Sequence, residues 1–269
     1  MQYDPIKRSL GKVFNKKPFT RKLFYYLLDL LLLRTWHVKK AIRKWGKQYK
    51  NGAEILDAGS GFGQYSYYLS NQCKKNKVLG VDVKTEQVED CNRFFTKIGK
   101  SERVKFEYAD LTKFDKAKEF DLILSVDVME HILEDVDVFK NFNKALKDEG
   151  MLLISTPSDQ GGSDVHDDHE HSFIDEHVRD GYGVSEIEEK LKIAGFTKIE
   201  AAYAYGTPGK ISWKLSMKIP ITILNVSKLF FIFLPFYYII TFPISFILNY
   251  FDVKMKHKKG TGLIVKAFK

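Results

Sequence analysis

The stretch Ile55-Leu56-Asp57-Ala58-Gly59-Ser60-Gly61-Phe62-Gly63 decides the fold. An apolar strand-like run opens into three glycines at alternate positions, and a helical pattern follows. Glycines at such a turn let the backbone bend tightly and admit a ligand where a Cβ would interfere. A second strand-like run ends in Asp82, nineteen residues past Gly63, where a carboxylate can accept both hydroxyl hydrogens of a ribose.

Working outward, AEILDA (53–58), KVLGVD (77–82), VKFEYA (104–109), FDLILSV (120–126) and GMLLIST (150–156) are near-continuous apolar runs, as buried parallel strands require. Helical stretches near 64–73, 86–98 and 135–147 lie between most of them. Repeated βαβ units of this kind predict a parallel sheet covered on both faces. Further on, Ser185 and Glu188 predict a capped helix start and Gly195 its stop. FTKIEAAYAY (196–205) and GLIVKAF (262–268) read as two more strands.

At 269 residues and 44% hydrophobic content, the chain can bury one large core, which excludes disorder and a collagen-like structure. Cys73 and Cys91 stand outside any CxxC pair, so neither a disulfide framework nor a cysteine zinc site is expected, and a reducing compartment is. The net charge of +9 is unevenly spread. Residues 1–50 hold 14 bases against 2 acids, residues 207–269 hold 10 against 1, and the middle holds 19 against 31. Two basic ends flanking an acidic body point to an anionic surface partner, a membrane or a nucleic acid.

The LDAGSGFG, GVD, YADL and SVDVMEHI stretches, in this order, resemble class I S-adenosylmethionine-dependent methyltransferases over residues 50–206 plus the last strand. Gln64 stands where a dinucleotide fingerprint would place its third glycine, which disfavours nicotinamide or flavin dinucleotides. The resemblance implies an α/β fold: a Rossmann-like, doubly wound, seven-stranded, mostly parallel sheet with an antiparallel last strand. It further implies that Asp57 and the Gly59, Ser60, Gly61 and Gly63 backbone hold the methionine moiety of S-adenosylmethionine. Asp82, with Val83 beside it, would hold the ribose; Asp110 and the Leu111 amide would face the adenine; Ser125 and Val126 would close the pocket.

Methyl transfer is an in-line displacement at a sulfonium, so positioning dominates and a base is needed only where the acceptor must lose a proton. His131, His166, His169, His171 and His177 crowd the expected rim, and His131 and His171 are the candidate bases. Asp127, Glu130 and His131 resemble the divalent-metal set of ubiquinone-type and small-RNA methyltransferases, with Asp127 in place of a Glu and His171 as a fourth ligand for magnesium or manganese. Tyr182 and Arg179 are candidates for orienting the acceptor.

Two apolar stretches remain. Leu23 to Leu33 is too short to span a bilayer and reads as a packed or interfacial helix, with Trp36 and Trp45 at headgroup depth in the latter case. Residues 229–251 are 23 positions without a charge, long enough for one crossing. Strands on both sides of this segment require it to leave and return on one side, and Pro220, Pro235 and Pro243 predict broken helices. The expected organisation is a basic helical segment (1–50), a methyltransferase core (51–206), a hydrophobic membrane-associating insertion (207–260) and a final core strand (261–269). The expected activity is methylation, at oxygen by preference, of a hydrophobic small molecule or lipid by an enzyme lying on the cytoplasmic face of an anionic membrane, monotopic or peripheral. An RNA methyltransferase and a non-catalytic cofactor-binding membrane protein are the alternatives; nucleic acid is disfavoured because the basic residues flank long apolar runs.

Overall fold

The computed structural model describes residues 17–161 and 178–269. Its strands are β1 (Glu54–Ala58), β2 (Lys77–Asp82), β3 (Val104–Tyr108), β4 (Phe120–Val126), β5 (Leu146–Pro157), β6 (Lys198–Ala204) and β7 (Gly262–Phe268). They form one seven-stranded sheet in the order β3-β2-β1-β4-β5-β7-β6. β1 to β5 pair in parallel, and β7 runs antiparallel to both β5 and β6. This is the expected Rossmann-like methyltransferase sheet. Strand order reverses between β1 and β4, which makes the crevice past their C-terminal ends the place where such sheets receive ligands.

Helices α1 (Pro18–Leu31) and α2 (Leu33–Trp45) precede β1, while α3 (Gln64–Gln72), α4 (Thr85–Lys97), α5 (Asp135–Ala145) and α6 (Val184–Ile193) lie between strands. Successive residues of β1 point to opposite faces. Ile55 packs with Leu69, Phe95 and Val38 on one side, and Leu56 with Phe139, Phe142 and Leu191 on the other. Helix α6 starts earlier than the Ser185–Glu188 pattern predicts: Gly183 is its cap, and the Glu186 carboxylate accepts the Gly183 amide at 3.4 Å. Gly195 ends it, at φ +93°.

The apolar N-terminal run is two helices, because extended Leu32 separates α1 from α2. Arg21, Phe24 and Tyr25 are the buried face of α1. Trp45 does not lie at headgroup depth: it is buried and stacks on Tyr49 with ring centroids 4.3 Å apart. Trp36 packs edge-on against Phe246, 4.8 Å between centroids.

Between β6 and β7 the chain leaves through α7 (Thr207–Trp213), a π-type turn (Lys214–Lys218) and α8 (Ile219–Val226), then returns through α9 (Leu234–Lys254). The Tyr237 and Tyr238 hydroxyls donate to the Leu215 and Ser216 carbonyls, each at 2.7 Å, and Ser212 Oγ donates to the Ser245 carbonyl at 3.2 Å. The arms therefore lie side by side. The prolines break neither: Pro220 and Pro235 occupy first-turn positions that need no amide donor, and α9 continues through Pro243. Among the described residues α9 alone is long and apolar enough to cross a bilayer, and its buried residues are Ser245, Asn249 and Asp252.

A buried carboxylate roots this excursion. Asp252, with no exposed surface, accepts from His37 Nε2 at 2.8 Å, the Gly209 amide at 3.0 Å and the Tyr205 amide at 3.2 Å, while His257 Nε2 hydrogen-bonds the Asp252 backbone carbonyl at 2.9 Å and lies 3.2 Å from the carboxylate. Burial pushes its carboxyl up, but the hydrogen bond and charge of His37, the charge of His257 and the Gly209 amide outweigh that and hold it below the usual carboxylate range.

Candidate functional site

The glycine turn lies in the crevice between β1 and β4. Gly59, Gly61 and Gly63 take φ of +76°, +50° and +73°, the left-handed region that other residues enter only with strain. The Gly59 and Ser60 amides both donate to the Val81 carbonyl at 2.9 Å, binding the turn to the end of β2. Asp82 Oδ2 accepts the Gly61 amide at 2.9 Å and Oδ1 accepts the Lys84 amide at 2.9 Å, so the carboxylate expected to meet a ribose shapes the loop. Val83 beside it is exposed.

Beneath the turn, Asp57 is buried and Oδ2 accepts the Ser66 hydroxyl at 2.6 Å. Ser66 lies in the first turn of α3, where unpaired amides favour a negative charge. Burial pushes the Asp57 carboxyl up to about 6 despite the Ser66 hydrogen bonds. Asp110 caps the short turn Leu111–Lys113, Oδ1 accepting the Thr112 amide at 3.0 Å and hydroxyl at 2.7 Å, which holds its carboxyl low. Leu111 is buried beside it.

Three buried hydroxyls in this region, Ser60 Oγ, Tyr65 Oη and Ser125 Oγ, have no hydrogen-bond partner among the described residues. A buried polar atom left unpaired is costly. Orphaned hydroxyls at the ends of β1 and β4 and the start of α3, beside a turn no side chain can enter, fit a polar nucleoside-bearing ligand such as S-adenosylmethionine.

The proposed metal set does not fit a divalent ion. Asp127, at φ +52° just past β4, is ion-paired to the Arg34 guanidinium. Glu130 is buried, and Oε2 accepts the Thr156 hydroxyl at 3.1 Å. Burial, together with the Asp127 charge, pushes its carboxyl up toward the protonated form. Among the described residues no group of three His, Cys, Asp or Glu side chains is arranged to hold a metal ion. His131 lies in the short turn Met129–His131 after β4; His171, like His166, His169 and His177, lies outside the described residues.

Tyr182 does not face an acceptor. It is fully buried, its hydroxyl 2.8 Å from Asp135 Oδ2 and 3.1 Å from the Met129 carbonyl. Arg179 and Lys190 pair with the same Asp135 carboxylate, so this cluster fastens α6 to α5.

Helices α1 and α2 supply contacts that sequence reasoning did not find. Arg21, 1% exposed, donates to the Phe62 carbonyl inside the glycine turn at 2.7 Å and to Asp90 Oδ2 at 2.5 Å. The Tyr25 hydroxyl donates to the same Phe62 carbonyl. Asp29 Oδ1 accepts from Gln64 at 2.7 Å, and the Arg34 amide donates to the Tyr205 hydroxyl at 2.9 Å. The available signal was a charge on an apolar stripe: Arg21 shares the spacing of Phe24, Tyr25 and Leu28.

A family model described as a methyltransferase domain matches residues 49–197. Phosphoethanolamine N-methyltransferase 1 of Triticum aestivum is 36% identical over 133 residues, covering 44% of this chain and 26% of its own length. (S)-Coclaurine N-methyltransferase of Papaver somniferum is 32% identical over 149 residues, covering 55% of this chain and 39% of its own. The matched stretch thus spans well under half of either relative. Among solved structures, phosphoethanolamine N-methyltransferase 2 of Haemonchus contortus in complex with S-adenosyl-L-methionine aligns with a TM-score of 0.61. At 22% identity over 87% of this chain and 52% of that one, this is a likeness of fold.

Proposed function

Because this chain belongs to the methyltransferase-domain family, we propose that it transfers a methyl group from S-adenosylmethionine to a hydrophobic, membrane-resident small molecule or lipid. The observation that carries this is the three-glycine turn at the β1/β4 crevice, with orphaned hydroxyls at the strand ends beside it. Bound S-adenosylmethionine supplies a methyl group on a sulfonium, activated for displacement. The residues then have to hold, align and keep dry. The glycine turn and Asp82 set the position of the nucleoside, and Asp57 lends negative charge beneath the turn. Asp127 is neutralised by Arg34, and Glu130 is held toward its protonated form. Neither is a ready base, which leaves alignment as the chief contribution of these residues.

The acceptor atom is better taken as an amine nitrogen than as the oxygen that the sequence favoured. The case for oxygen leaned on the metal set, which does not fit, while the relatives named above are N-methyltransferases. The membrane enters through the excursion, where Phe233, Phe236 and Ile240 are 61%, 66% and 70% exposed. So broad an apolar surface is unusual in water and suits a monotopic attachment, with the lysines at 210, 214, 218, 254, 256, 258 and 259 meeting anionic headgroups on the cytoplasmic side.

Two results are expected. With methyl-labelled S-adenosylmethionine and a total lipid extract from the source organism, label enters the organic phase; label confined to the aqueous phase refutes a lipid-soluble acceptor. The triple variant Phe233→Ser, Phe236→Ser, Ile240→Ser loses flotation with anionic liposomes that the parent keeps in high salt, and a variant that still floats removes the excursion as the attachment.

The Asp57 carboxyl gives a pH dependence. A cationic cofactor seated above it favours the ionised form, so binding expels a proton whenever the solution is more acidic than about pH 6. Cofactor affinity should therefore rise as pH increases toward about 6 and level off above it. Calorimetry across pH 5 to 8 checks this, and an Asp57→Asn protein with the same acid-side slope would assign the dependence to another group.

A further inference from the structure

Helix α1 has two faces with different partners. Its inner face carries Arg21 and Tyr25, whose hydrogen bonds to the Phe62 carbonyl hold the middle of the glycine turn. Its outer face carries Phe19, Leu23, Tyr26 and Leu27, exposed to 75%, 40%, 59% and 37%. These positions follow one another at helical spacing and form a single apolar stripe.

The stripe continues into the excursion. Leu30, at its C-terminal end, accepts the Trp36 indole hydrogen at 3.3 Å, and the Trp36 ring meets Phe246 on α9. Lys17 and Lys22 are exposed beside it, in a 50-residue segment with 14 bases against 2 acids. An apolar stripe rimmed by bases and joined to the excursion's apolar surface matches the chemistry of an anionic bilayer.

We propose that an anionic bilayer docks on the outer stripe of α1 and thereby steadies the glycine turn, so that membrane contact raises affinity for S-adenosylmethionine. The inference rests on the membrane reading of the excursion and adds a regulation to it. A 14-residue helix is marginal alone, and the N-cap of α1 has no side-chain hydrogen bond. Its seating therefore depends on what covers its two faces. A bilayer on one face favours the seated helix, and the seated helix holds Phe62. Reciprocity then requires that cofactor and membrane strengthen each other's binding by the same factor.

The test is the calorimetric affinity of the full chain for S-adenosylmethionine, with and without vesicles of equal parts phosphatidylglycerol and phosphatidylcholine. Vesicles should tighten binding about fivefold or more, the lower end of usual coupling between sites. Leu23→Ser with Tyr26→Ser should abolish that gain while keeping the vesicle-free affinity and the flotation supplied by the excursion. Parent protein that floats yet binds the cofactor equally in both conditions overturns the coupling and leaves the membrane reading standing. Parent protein that does not float overturns both. Sedimentation that finds a dimer broken by the double variant assigns the stripe to a second copy of the chain and overturns the inference. The parent comparison alone decides the coupling if the double variant fails to fold.

Discussion

Replacing Asp252 with alanine is expected to lower folding stability by about 3–5 kcal/mol, the scale of removing one partner from a buried ion pair. The carboxylate joins four places in the chain: His37 on α2, Tyr205 after β6, Gly209 on α7 and His257 after α9. Its loss leaves the Tyr205 and Gly209 amides and the His37 imidazole without their acceptor, while His257 keeps its bond to the backbone carbonyl at position 252. The sign with pH follows from the depressed carboxyl. Its contribution is fully present above the ordinary aspartate pKa and is lost as pH falls through the lower folded value. Denaturant unfolding of parent and variant at pH 7 measures the difference; a change under about 1 kcal/mol would show that the root of the excursion holds without this carboxylate.

The second large effect is expected at Gly59. An added Cβ would lie 2.3 Å from Val128 Cγ2, a branched side chain with little room to yield, at a backbone φ of +76°. Left-handed strain of about 1–2 kcal/mol and overpacking of about 1–3 kcal/mol combine in Gly59→Ala. That free energy falls on the turn, which must distort to relieve it, so cofactor affinity should drop by one to two orders of magnitude while far-UV circular dichroism stays near that of the parent. Unchanged calorimetric affinity would remove the turn from the binding site.

Much of this architecture was legible because it is written locally. A buried parallel strand has to be an apolar run, and a turn needing positive φ has to carry glycine, so β1 to β5 and the Gly59–Gly63 turn announce themselves. The return of the excursion was also legible, since strand character on both sides constrained the path between. What stayed hidden lies in pairings across long sequence separations: Arg34 with Asp127 across 93 positions, and His37 with Asp252 across 215. No local pattern marks such partners. The metal set failed for the same reason, because Asp127, Glu130 and His131 look like ligands until Arg34 arrives from α2 and Thr156 from β5. Tyr182 misled in the opposite sense: a polar tip on a rim sequence turned out to be a buried strut on Asp135.

The root of the excursion has one more consequence. Ala204 and Gly262 are direct cross-strand partners, so everything between them enters and leaves the core through a gap of about 5 Å. In evolutionary terms that is a cassette: strands β6 and β7 would need only a short hairpin to stay paired without it. The whole apolar arm is accommodated at this one gap with no strand re-registered, and it is fastened there through His37 and Asp252. The same geometry lets the arm's length and composition change without re-pairing the sheet that carries the glycine turn.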